Sequence, residues 1–569
     1  MRKVLFVALA VVVVAALALP ASAGPSGQAR TSAQAAGSSG QLQSANGEYV
    51  VAYADGASAA AARAAIKAAG GTVLKENTRV GVATVKSSNP AFITAAGAQS
   101  ALVGAARNRP IGRLPSGGRA PREDVERLTA AERAATKRSA STHGHAPGQE
   151  PLADKQWDMR MIDATPSGSY RVNQGRRGVM VGIMDTGVDG SHPDIKPNFN
   201  RRLSRNFTTD IPLVDGPCAD EPDQSCNDPA DVDEDGHGTH VAGLVAAALN
   251  GLGTAGVAPR VTLVNIRAGQ DSGFFFLQPT VDAMVYAGLV GIDVINMSFF
   301  TDPWLYNCLD NPADSPEEQL EQLTIRVATQ RAINFARDHG VTPVAALGNQ
   351  HTDLGNPTLD TTSPDFPPDT ERTRTVDNSC ITVPTETRGV ISISALGPSG
   401  YKADYSNYGI EQTDFSAPGG WFRDFFGLPQ NRQPENENLS AMPKALAEEA
   451  LQDPANVPFI VRDCKGSTCA FYQYLQGTSM ASPHAAGVAA LIVSAHGKRD
   501  GKHGGLTLSP RAVERILTRT AKQTPCPSPP NFAYPDDRDP SFDGVCEGTL
   551  ARNGIYGRGI VNALTAVLD

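Results

Sequence analysis

Residues 179–187 read VMVGIMDTG, an apolar run that stops at an aspartate, a threonine and a glycine. The run is too uniformly apolar for a strand with one face in water, so it indicates a strand buried on both faces. Similar runs follow at residues 261–266, 292–297 and 341–347. Helical patterns lie between them, around residues 238–249, 279–290 and 323–339. Buried strands that alternate with helices predict an α/β fold with a mainly parallel sheet and helices on both faces.

Polar motifs stand where reactive groups gather in such folds, at the carboxyl ends of the strands. Asp185 follows the first run and Asn349 follows the fourth. Two Gly-rich segments that open helices supply His237, in DGHGTHVAG, and Ser479, in GTSMASPH. A serine hydroxyl becomes a nucleophile when an imidazole takes its proton, and a carboxylate fixes the tautomer of that imidazole. The chain supplies all three groups, in the order Asp185, His237, Ser479.

Each motif also has a simpler interpretation. The DTG sequence at Asp185 and the DSG sequence at Asp271 could form an aspartic-protease dyad, but that mechanism needs two carboxylates sharing a proton, in a symmetric all-β scaffold. His237 and His240 could bind a metal. Ser479 could be a plain helix N-cap, although this does not explain the glycine before it or the small residues around it.

Acidic residues before the histidine motif imitate the opening of a calcium loop. Asp231, Asp233 and Asp235 have the spacing, but Ala242 stands where the twelfth-position glutamate belongs. A solvated acidic loop is the favoured interpretation.

Taken together, residues 178–194, 235–243, 341–349 and 477–490 resemble the subtilisin-like serine peptidases. The most specific motifs are DTGVDGSHPD, DGHGTHVAG and GTSMASPHAAG, and the likeness extends over about residues 151–569, ending in YGRGIVNA at 556–563. The order Asp, His, Ser is that of subtilisin. The resemblance implies a subtilisin-like three-layer fold and an acyl-enzyme mechanism. It makes Asp185, His237 and Ser479 the triad, and Asn349 the oxyanion donor together with the Ser479 N–H.

The resemblance also implies where substrate and metal would bind. Ser298, Ala346 and Gly348 lie on two strands that resemble those lining the first specificity pocket, where a peptide binds as an added strand. The pair Phe299-Phe300 departs from the family pattern, which has a large residue followed by glycine.

A calcium site is the metal site that the resemblance brings into question. Gln156 and Asp194 resemble ligands of a common family calcium site, but the loop from Leu249 to Gly256 is one residue short. We therefore predict no cofactor for the chemistry and commit to no metal.

Composition divides the remaining chain into segments. Residues 1–23 have the charged start, short apolar run and Ala-Ser-Ala ending of a signal peptide rather than a retained anchor. We predict a flexible lead-in at 24–45, an α+β unit at 46–113, an exposed linker at 114–150 and the peptidase domain at 151–569. The unit at 46–113 should contain strands at 49–53, 72–74 and 80–85, a helix at 59–69 and a helical stretch over 90–103. The resemblance makes it an inhibitor-like propeptide, removed by autocatalytic cleavage within 114–155.

The eight cysteines agree with export. An even number in an exported chain suggests disulfides, although eight cysteines can pair in many ways. Proximity favours Cys218–Cys226, Cys464–Cys469 and Cys526–Cys546, which leaves Cys308–Cys380. A zinc site is disfavoured because the chain has no C-x-x-C pair.

The charge balance restricts the partners. The chain of 569 residues has 50 Lys and Arg against 59 Asp and Glu, a net charge of -9, which argues against a nucleic-acid-binding protein. We predict a secreted, monomeric enzyme without a stable membrane anchor, acting on proteins and peptides and inhibited by its own propeptide. A catalytically dead binding protein on the same scaffold is the competing hypothesis, and it predicts a damaged triad.

Four segments have no counterpart in the minimal family pattern, and they contain six of the eight cysteines: residues 208–230, 301–322, 350–388 and 419–470. The sequence does not decide whether they shape the cleft, select substrates or protect the enzyme.

Overall fold

The computed structural model describes residues 47–113, 150–212, 214–220, 224–299, 303–364, 370–534 and 538–569. The predicted signal peptide and lead-in, and residues 114–149 of the predicted linker, lie outside the described residues. Within the described ranges, no helix is both long enough and apolar enough to cross a membrane.

The N-terminal described segment forms a small α+β unit, as predicted. Its strands are β1 (Glu48–Tyr53), β2 (Gly71–Asn77), β3 (Val82–Ser87) and β4 (Leu102–Arg107), and its helices are α1 (Ala59–Ala68) and α2 (Phe92–Gly97). The strands form an antiparallel sheet in the order β2-β3-β1-β4. Helix α1 begins after Ser58, whose hydroxyl caps the Ala61 N–H at 3.1 Å. It ends at Ala68, and Gly70 follows with φ +92°, a left-handed conformation that glycine adopts most readily.

The predicted helical stretch over residues 90–103 is wrong in its second half. Helix α2 ends at Gly97, and Leu102 begins a strand that pairs with β1. A Cβ atom on Gly97 would lie 2.8 Å from Leu320 Cδ1, and one on Gly104 would lie 2.8 Å from Thr324 Oγ1. These glycines let the segment lie close to a helix of the larger domain, so long-range packing overrides the local helical propensity.

A parallel sheet forms the centre of the larger domain. Its strands are β6 (Met180–Met184), β7 (Arg205–Asn206), β8 (Thr262–Arg267), β10 (Val294–Met297), β11 (Thr342–Ala346), β14 (Ile391–Leu396) and β15 (Phe415–Pro418). Within the described residues these seven strands run in the order β15-β14-β11-β10-β6-β8-β7, and each neighbouring pair is parallel. The four apolar runs are the strands β6, β8, β10 and β11, as predicted.

Helices cover both faces of this sheet. Within the described residues, the helices of the larger domain are α3 (Trp157–Met161), α4 (His237–Ala246), α5 (Leu277–Val290), α6 (Pro316–Asp338), α7 (Lys444–Ala450), α8 (Thr478–His496), α9 (Pro510–Thr520) and α10 (Ala563–Leu568). Val294 of β10 packs in one apolar layer with α4 and α8, and the next residue, Ile295, packs in the other with α5 and α6. Alternate residues of buried strands therefore feed two cores, which confirms the three-layer fold.

The α5 and α6 layer also receives the N-terminal unit. Val50, Val82 and Ala106 belong to the same apolar cluster as these two helices. The buried Glu321 carboxylate of α6 binds Arg107 at 3.0 Å and Arg109 at 2.7 Å. Beyond β4, strand β5 (Pro110–Arg113) pairs antiparallel with β9 (Phe274–Phe276) of the larger domain.

Helix α6 begins at Pro316, earlier than the predicted start at residue 323. Ser315 and Glu318 form a capping box, in which each side chain bonds the backbone N–H of the other residue. The helix therefore starts inside the segment 301–322 that has no family counterpart.

All eight cysteines form disulfides in the predicted pairs, which are Cys218–Cys226, Cys308–Cys380, Cys464–Cys469 and Cys526–Cys546. Cys464–Cys469 closes a hairpin of β17 (Ile460–Lys465) and β18 (Thr468–Leu475), and β18 also pairs antiparallel with β16 (Asn438–Met442). Short strands complete the described structure: β12 (Leu359–Asp360), β13 (Arg374–Thr375), β19 (Lys498–Arg499), β20 (Leu506–Thr507), β21 (Asn531–Phe532), β22 (Gly544–Val545), β23 (Gly548–Thr549) and β24 (Arg552–Asn553).

Candidate active site

The end of β6 and the start of α4 bring Asp185 and His237 together. His237 Nδ1 lies 2.8 Å from Asp185 Oδ1. His237 is 4% exposed and Asp185 is 0% exposed. An ionised carboxylate only accepts hydrogen bonds, so Nδ1 carries the proton and Nε2 is the basic nitrogen. A Cβ atom on Gly238 would lie 2.0 Å from Gly187 O, so glycine is required for α4 to start this close to Asp185.

Asp233 holds the start of α4 against the strand end. Its Oδ2 accepts the backbone N–H of Thr239 at 2.8 Å and the Thr239 hydroxyl at 2.6 Å. Its Oδ1 accepts the Thr186 hydroxyl at 3.0 Å and the Gly236 N–H at 2.9 Å. Asp233 therefore caps the helix that begins with His237 and ties it to the residue after Asp185.

The predicted solvated acidic loop is wrong for Asp233, because that carboxylate is buried and both of its oxygens accept hydrogen bonds. Asp235 is half-buried and accepts the His237 N–H at 3.1 Å. Burial, followed by the charge of Asp233, raises the pKa of Asp235 to about 7. Asp231 forms an ion pair with Arg201.

Ser479 is the second residue of α8, which packs against α4. Its hydroxyl donates to the carbonyl oxygen of Ser298 at 3.0 Å. In return the Ser298 hydroxyl donates to the Ser479 carbonyl at 2.7 Å. Pro483 lies one helical turn after Ser479 and has no N–H to offer that carbonyl, so Ser298 supplies the missing donor.

Asn349 lies beside the start of α8 with its side chain fixed. Its Oδ1 accepts the Thr478 N–H at 2.9 Å and the Thr478 hydroxyl at 2.7 Å. The Thr478 hydroxyl accepts the Gly348 N–H at 3.0 Å. Asn349 Nδ2 is buried and has no hydrogen-bond partner among the described residues. A fixed amide with a buried, unused N–H is suited to stabilising a developing negative charge.

The predicted substrate-binding residues lie at the ends of two adjacent strands. Ser298 follows β10, Ala346 ends β11 and Gly348 follows it, and all three are buried. Gly348 has φ +107°, and a Cβ atom there would lie 2.5 Å from Asn407 Nδ2. The Asn407 side chain donates to Leu347 O at 3.1 Å and so supports this strand end.

The family departure at Phe299 is a packing contact. Phe299 stacks on Phe275 of β9, with ring centroids 4.0 Å apart and an interplanar angle of 15°. Phe300 lies outside the described residues. Because β5 pairs with β9, the N-terminal unit adds a strand next to this aromatic pair.

A second aspartate–histidine pair anchors α8 further along. His484 Nε2 lies 3.0 Å from Asp158 Oδ2 of α3, and His484 Nδ1 lies 2.7 Å from Met480 O. A carbonyl oxygen only accepts, so Nδ1 carries a proton, and a further proton is shared between Nε2 and the carboxylate. The pair is buried and belongs to the fold.

His240 does not join His237 in a metal site. Its Nε2 faces the backbone carbonyls of Asn438 at 3.2 Å and Gln473 at 3.0 Å, so this nitrogen is a donor. Burial lowers the pKa of His240 to about 3.

Asp271 lies in a carboxylate cluster with Asp210 and Asp228. It does not form the dyad with Asp185 that an aspartic protease would need. The buried Arg267 guanidinium bonds Asp271 at 3.0 Å and Asp210 at 3.2 Å, and it also pairs with Asp228. These three carboxylates could surround a cation, but the guanidinium already supplies the positive charge. Burial raises the pKa of Asp271 to about 8.

The side chains that resemble calcium ligands are already hydrogen-bonded. Gln156 bonds both backbone groups of Ala255, at 2.8 and 3.0 Å. Asp194 Oδ2 accepts the Tyr472 hydroxyl at 2.7 Å, and Asp194 Oδ1 accepts Asn250 Nδ2 at 2.9 Å. Asn250 Oδ1, in the loop beside them, is buried and has no hydrogen-bond partner among the described residues, so an oxygen that could face a cation remains unused.

Comparison with known families gives a direct assignment. Residues 176–543 match the model of the subtilase family. The chain belongs to the subtilase family. Residues 30–107 of this subtilase match the model of the fervidolysin N-terminal prodomain, which agrees with the propeptide interpretation of the small α+β unit.

Relatives of this subtilase include two curated proteins. It is 28% identical over 346 residues to the nisin leader peptide-processing serine protease of Lactococcus lactis subsp. lactis, covering 60% of this chain and 44% of that protein. It is 29% identical over 350 residues to subtilisin DY of Bacillus licheniformis, covering 61% and 86%. The chain thus spans less than half of the first relative.

A solved structure shares the fold of this subtilase. The epidermin leader peptide processing serine protease of Staphylococcus aureus has a TM-score of 0.59 at 22% identity, covering 91% of this chain and 97% of that chain.

Sequence reasoning missed the residues that support the site, namely Asp233, Thr478, Asn407 and Asp158. Thr478 had a signal, because it stands directly before Ser479 in the motif. Asp233 also had one, since an aspartate a few residues before a helix start is a capping pattern. Asn407 and Asp158 act across long stretches of chain, and no local pattern marks them.

Proposed function

We propose that this subtilase is a secreted serine endopeptidase, made as a self-processed zymogen, that hydrolyses peptide bonds in proteins. The observation that carries the proposal is the 2.8 Å contact between Asp185 and His237, beside a helix whose second residue is Ser479. All three groups of the reaction are intact, which disfavours a catalytically dead binding protein.

The proposed reaction passes one proton through His237. The Ser479 hydroxyl turns from the Ser298 carbonyl toward His237 Nε2, gives up its proton, and Oγ attacks the scissile carbonyl carbon. His237 then donates this proton to the leaving amine, which breaks the peptide bond and leaves an acyl-enzyme. Water attacks the ester in the same way, with His237 returning the proton to Ser479. Asp185 stabilises the imidazolium at each step.

Asn349 is proposed to stabilise the oxyanion with its buried Nδ2–H group. The Ser479 backbone N–H, at the N-terminus of α8, is the second donor. Thr478 orients the Asn349 amide through the two hydrogen bonds to Oδ1. The donors are therefore in place before charge develops, and little reorganisation is needed.

Substrate peptides are proposed to bind as an added strand beside Ser298, Ala346 and Gly348. The antiparallel pairing of β5 with β9 supports this, because a segment of the chain itself already pairs as a strand with β9. Phe275 of β9 stacks on Phe299, the residue after Ser298.

The N-terminal unit, residues 46–113, is proposed to inhibit the enzyme within the chain until the linker, residues 114–150, is cut. Its ion pairs to Glu321 and the apolar cluster shared with α5 and α6 support a specific docked state. Cleavage would fall within residues 114–155.

Export and assembly complete the proposal. Residues 1–23 serve as the signal peptide, and four disulfides suit an oxidising compartment. We propose a monomer that needs no cofactor for its chemistry, has no stable membrane anchor after signal removal and binds no nucleic acid.

The deciding experiment compares Ser479→Ala with Ser494→Ala, which removes a buried hydroxyl from the same helix. Both chains are secreted and assayed on a protein substrate, with and without a serine-directed inhibitor, and their N-termini are sequenced. We expect Ser479→Ala to be inactive and untrimmed, and Ser494→Ala to be trimmed, active and inhibited. Hydrolysis by Ser479→Ala would refute the mechanism, and a trimmed but inactive Ser479→Ala would refute self-processing alone.

A further inference from the structure

Glu321, in the first half of α6, has a carboxylate whose partners come from the N-terminal unit. Arg109 Nη2 lies 2.7 Å from one oxygen, and Arg107 Nη1 lies 3.0 Å from the other. The backbone N–H of Arg107 donates to that second oxygen at 3.0 Å. Within the described residues, no group of the larger domain bonds this carboxylate, although the side chain is only 1% exposed. Removal of the N-terminal unit would therefore leave it unpaired.

Trp304 adds an aromatic surface beside this carboxylate. The guanidinium carbon of Arg109 lies over the Trp304 ring, 5.8 Å from its centroid. A guanidinium group can pair with a carboxylate and stack on an aromatic ring at the same time, which an ammonium group does less well. Glu321 and Trp304 both belong to the segment 301–322, for which the sequence offered no role. We call this pair of residues the arginine subsite.

The charges that the larger domain supplies around the arginine subsite are negative in sum. Four carboxylates and two guanidinium groups lie there, namely Asp314, Glu318, Glu321, Asp360, Arg372 and Arg374. Arg372 and Arg374 also lie over the Trp304 ring, but they form ion pairs with three of the carboxylates. The Glu321 carboxylate is the one that depends on the N-terminal unit for a positive charge, so the vacated subsite would attract a cationic side chain.

Arg109 is the residue directly before β5, the strand that pairs antiparallel with β9. Strand β5 is the other member of the two-stranded sheet that contains β9, so its release would open this edge to a substrate strand. Phe275 of β9 stacks on Phe299, and the neighbouring Ser298 bonds Ser479. A substrate in the place of β5 would therefore lie beside the proposed nucleophile and present the side chain before its paired segment to α6.

We infer that Glu321 and Trp304, once the N-terminal unit has been removed, bind an arginine side chain of the protein substrate. This arginine precedes the substrate segment that pairs with β9, and its guanidinium takes the position that Arg109 holds in the zymogen. It lies on the amino-terminal side of the bond that is cut, just as Arg109 precedes the predicted cleavage range of 114–155. The inference rests on the proposed peptidase function and adds a preference among its substrates.

The first test compares arginine with citrulline, an uncharged side chain of nearly the same shape, in peptide substrates of the trimmed enzyme. The cleaved bond of a peptide is located first, and arginine or citrulline is then placed at each upstream position in turn. We expect one position well upstream of the bond at which arginine raises kcat/KM about tenfold over citrulline, mainly by lowering KM, because hydrogen bonds between charged groups are the stronger ones. Equal values at every position would overturn the inference.

Glu321→Gln assigns the preference to α6, and Asp338→Asn is its matched control. Asp338 is an exposed carboxylate at the other end of the same helix. Both variants are sequenced from the N-terminus to verify trimming. We expect the ratio of kcat/KM between the arginine and citrulline peptides to fall to about one in Glu321→Gln and to stay at about ten in Asp338→Asn. A preference that survives in Glu321→Gln would place the arginine elsewhere and refute the subsite.

A competition measurement on the trimmed wild-type enzyme decides the question even if Glu321→Gln is not processed. Synthetic peptides of residues 104–113 inhibit hydrolysis of a separate substrate, with citrulline in place of either Arg109 or Arg113. We expect the inhibition constant to rise about tenfold for citrulline at 109 and to change little for citrulline at 113. Equal inhibition by all three peptides, or none by any, would overturn the inference.

The subsite and the peptidase function fail in different ways. A trimmed enzyme that cleaves none of the peptides would refute the peptidase function. An enzyme that cleaves the arginine and citrulline peptides equally well would refute the subsite and leave the peptidase function standing.

Discussion

Two buried aspartate–histidine pairs lie in the same layer of the molecule and differ in what the imidazole does. His237 lies 2.8 Å from Asp185, and His484 lies 3.0 Å from Asp158. In the second pair the other ring nitrogen is bound to the Met480 carbonyl at 2.7 Å, so both nitrogens serve the fold. In the first pair the carboxylate takes Nδ1, and our mechanism assigns Nε2 to the nucleophile.

An aspartate beside a histidine therefore does not by itself define a catalytic base. The orientation of the ring decides it. Asp158 approaches Nε2 of His484 and a helix carbonyl takes Nδ1, whereas Asp185 approaches Nδ1 of His237 from the end of a strand. Substitutions in the two pairs should therefore have separable effects.

Replacement of His237 by alanine should have the largest effect. Removing the histidine of the triad in subtilisin itself costs about 10⁶-fold in turnover, and we expect a loss of that order here. Hydrolysis of a peptide substrate would be measured alongside circular dichroism. Substantial activity in a folded His237→Ala protein would remove the basis of the comparison.

Replacement of His484 by alanine should instead reduce stability. It leaves Asp158 buried without its partner, and breaking a buried charge pair costs about 3–5 kcal/mol. Denaturant unfolding of the Ser479→Ala chain measures the change. Adding Asp158→Asn should recover part of the loss, because it removes the unpaired charge. An unchanged free energy of unfolding in His484→Ala would contradict a structural role for this pair.

Asn349→Ala should lower turnover by about 10²–10³-fold, the cost of losing one oxyanion donor. The fold should survive with some loss of stability, because the change removes only the two hydrogen bonds that Thr478 donates to Asn349 Oδ1. Asn356→Ala, in the loop that follows, is the control. A kcat equal to that of wild type would exclude Asn349 from the site.

We expect the smallest effect on stability at His240, a buried histidine whose Nε2 faces backbone carbonyls and not a carboxylate. Unfolded histidine has a pKa near 6.5, and burial lowers the pKa of His240 to about 3. Between these values the unfolded chain binds a proton that the folded chain does not. The contribution of His240 to the free energy of unfolding is therefore fully present above about pH 6.5. It is lost as the pH falls toward 3, by at most about 1.4 kcal/mol per pH unit.

His240→Gln should reduce that acid sensitivity. Unfolding of the Ser479→Ala chain, with and without His240→Gln, would be followed from neutral to acid pH. The free energy of unfolding should fall less steeply in His240→Gln. Parallel curves would indicate that His240 titrates normally.

Much of the fold was predictable because its signals are local. Apolar runs located the strands β6, β8, β10 and β11, and cysteines close in sequence pointed to the correct disulfides. The strand β4 was not predictable in this way, because its residues also suit a helix and its pairing partner, β1, lies about 50 residues earlier.

The same distinction between local and long-range signals applies to the candidate site. Asp185, His237, Asn349 and Ser479 stand in recognisable motifs, and their placement follows from strand ends and helix starts. The residues that hold them act over distance. Asp158 reaches His484 across more than 300 residues, and Tyr472 reaches Asp194 across almost as many. A single sequence carries no pattern for such pairs.

The proline in α8 has a mechanical consequence. Since Pro483 cannot bond the carbonyl of Ser479, that carbonyl is fastened to Ser298 at the end of β10. Ser479, the proposed nucleophile, is thus held by the sheet as well as by its own helix. A small displacement of the β10 terminus would therefore move Ser479 while the rest of α8 stays in place.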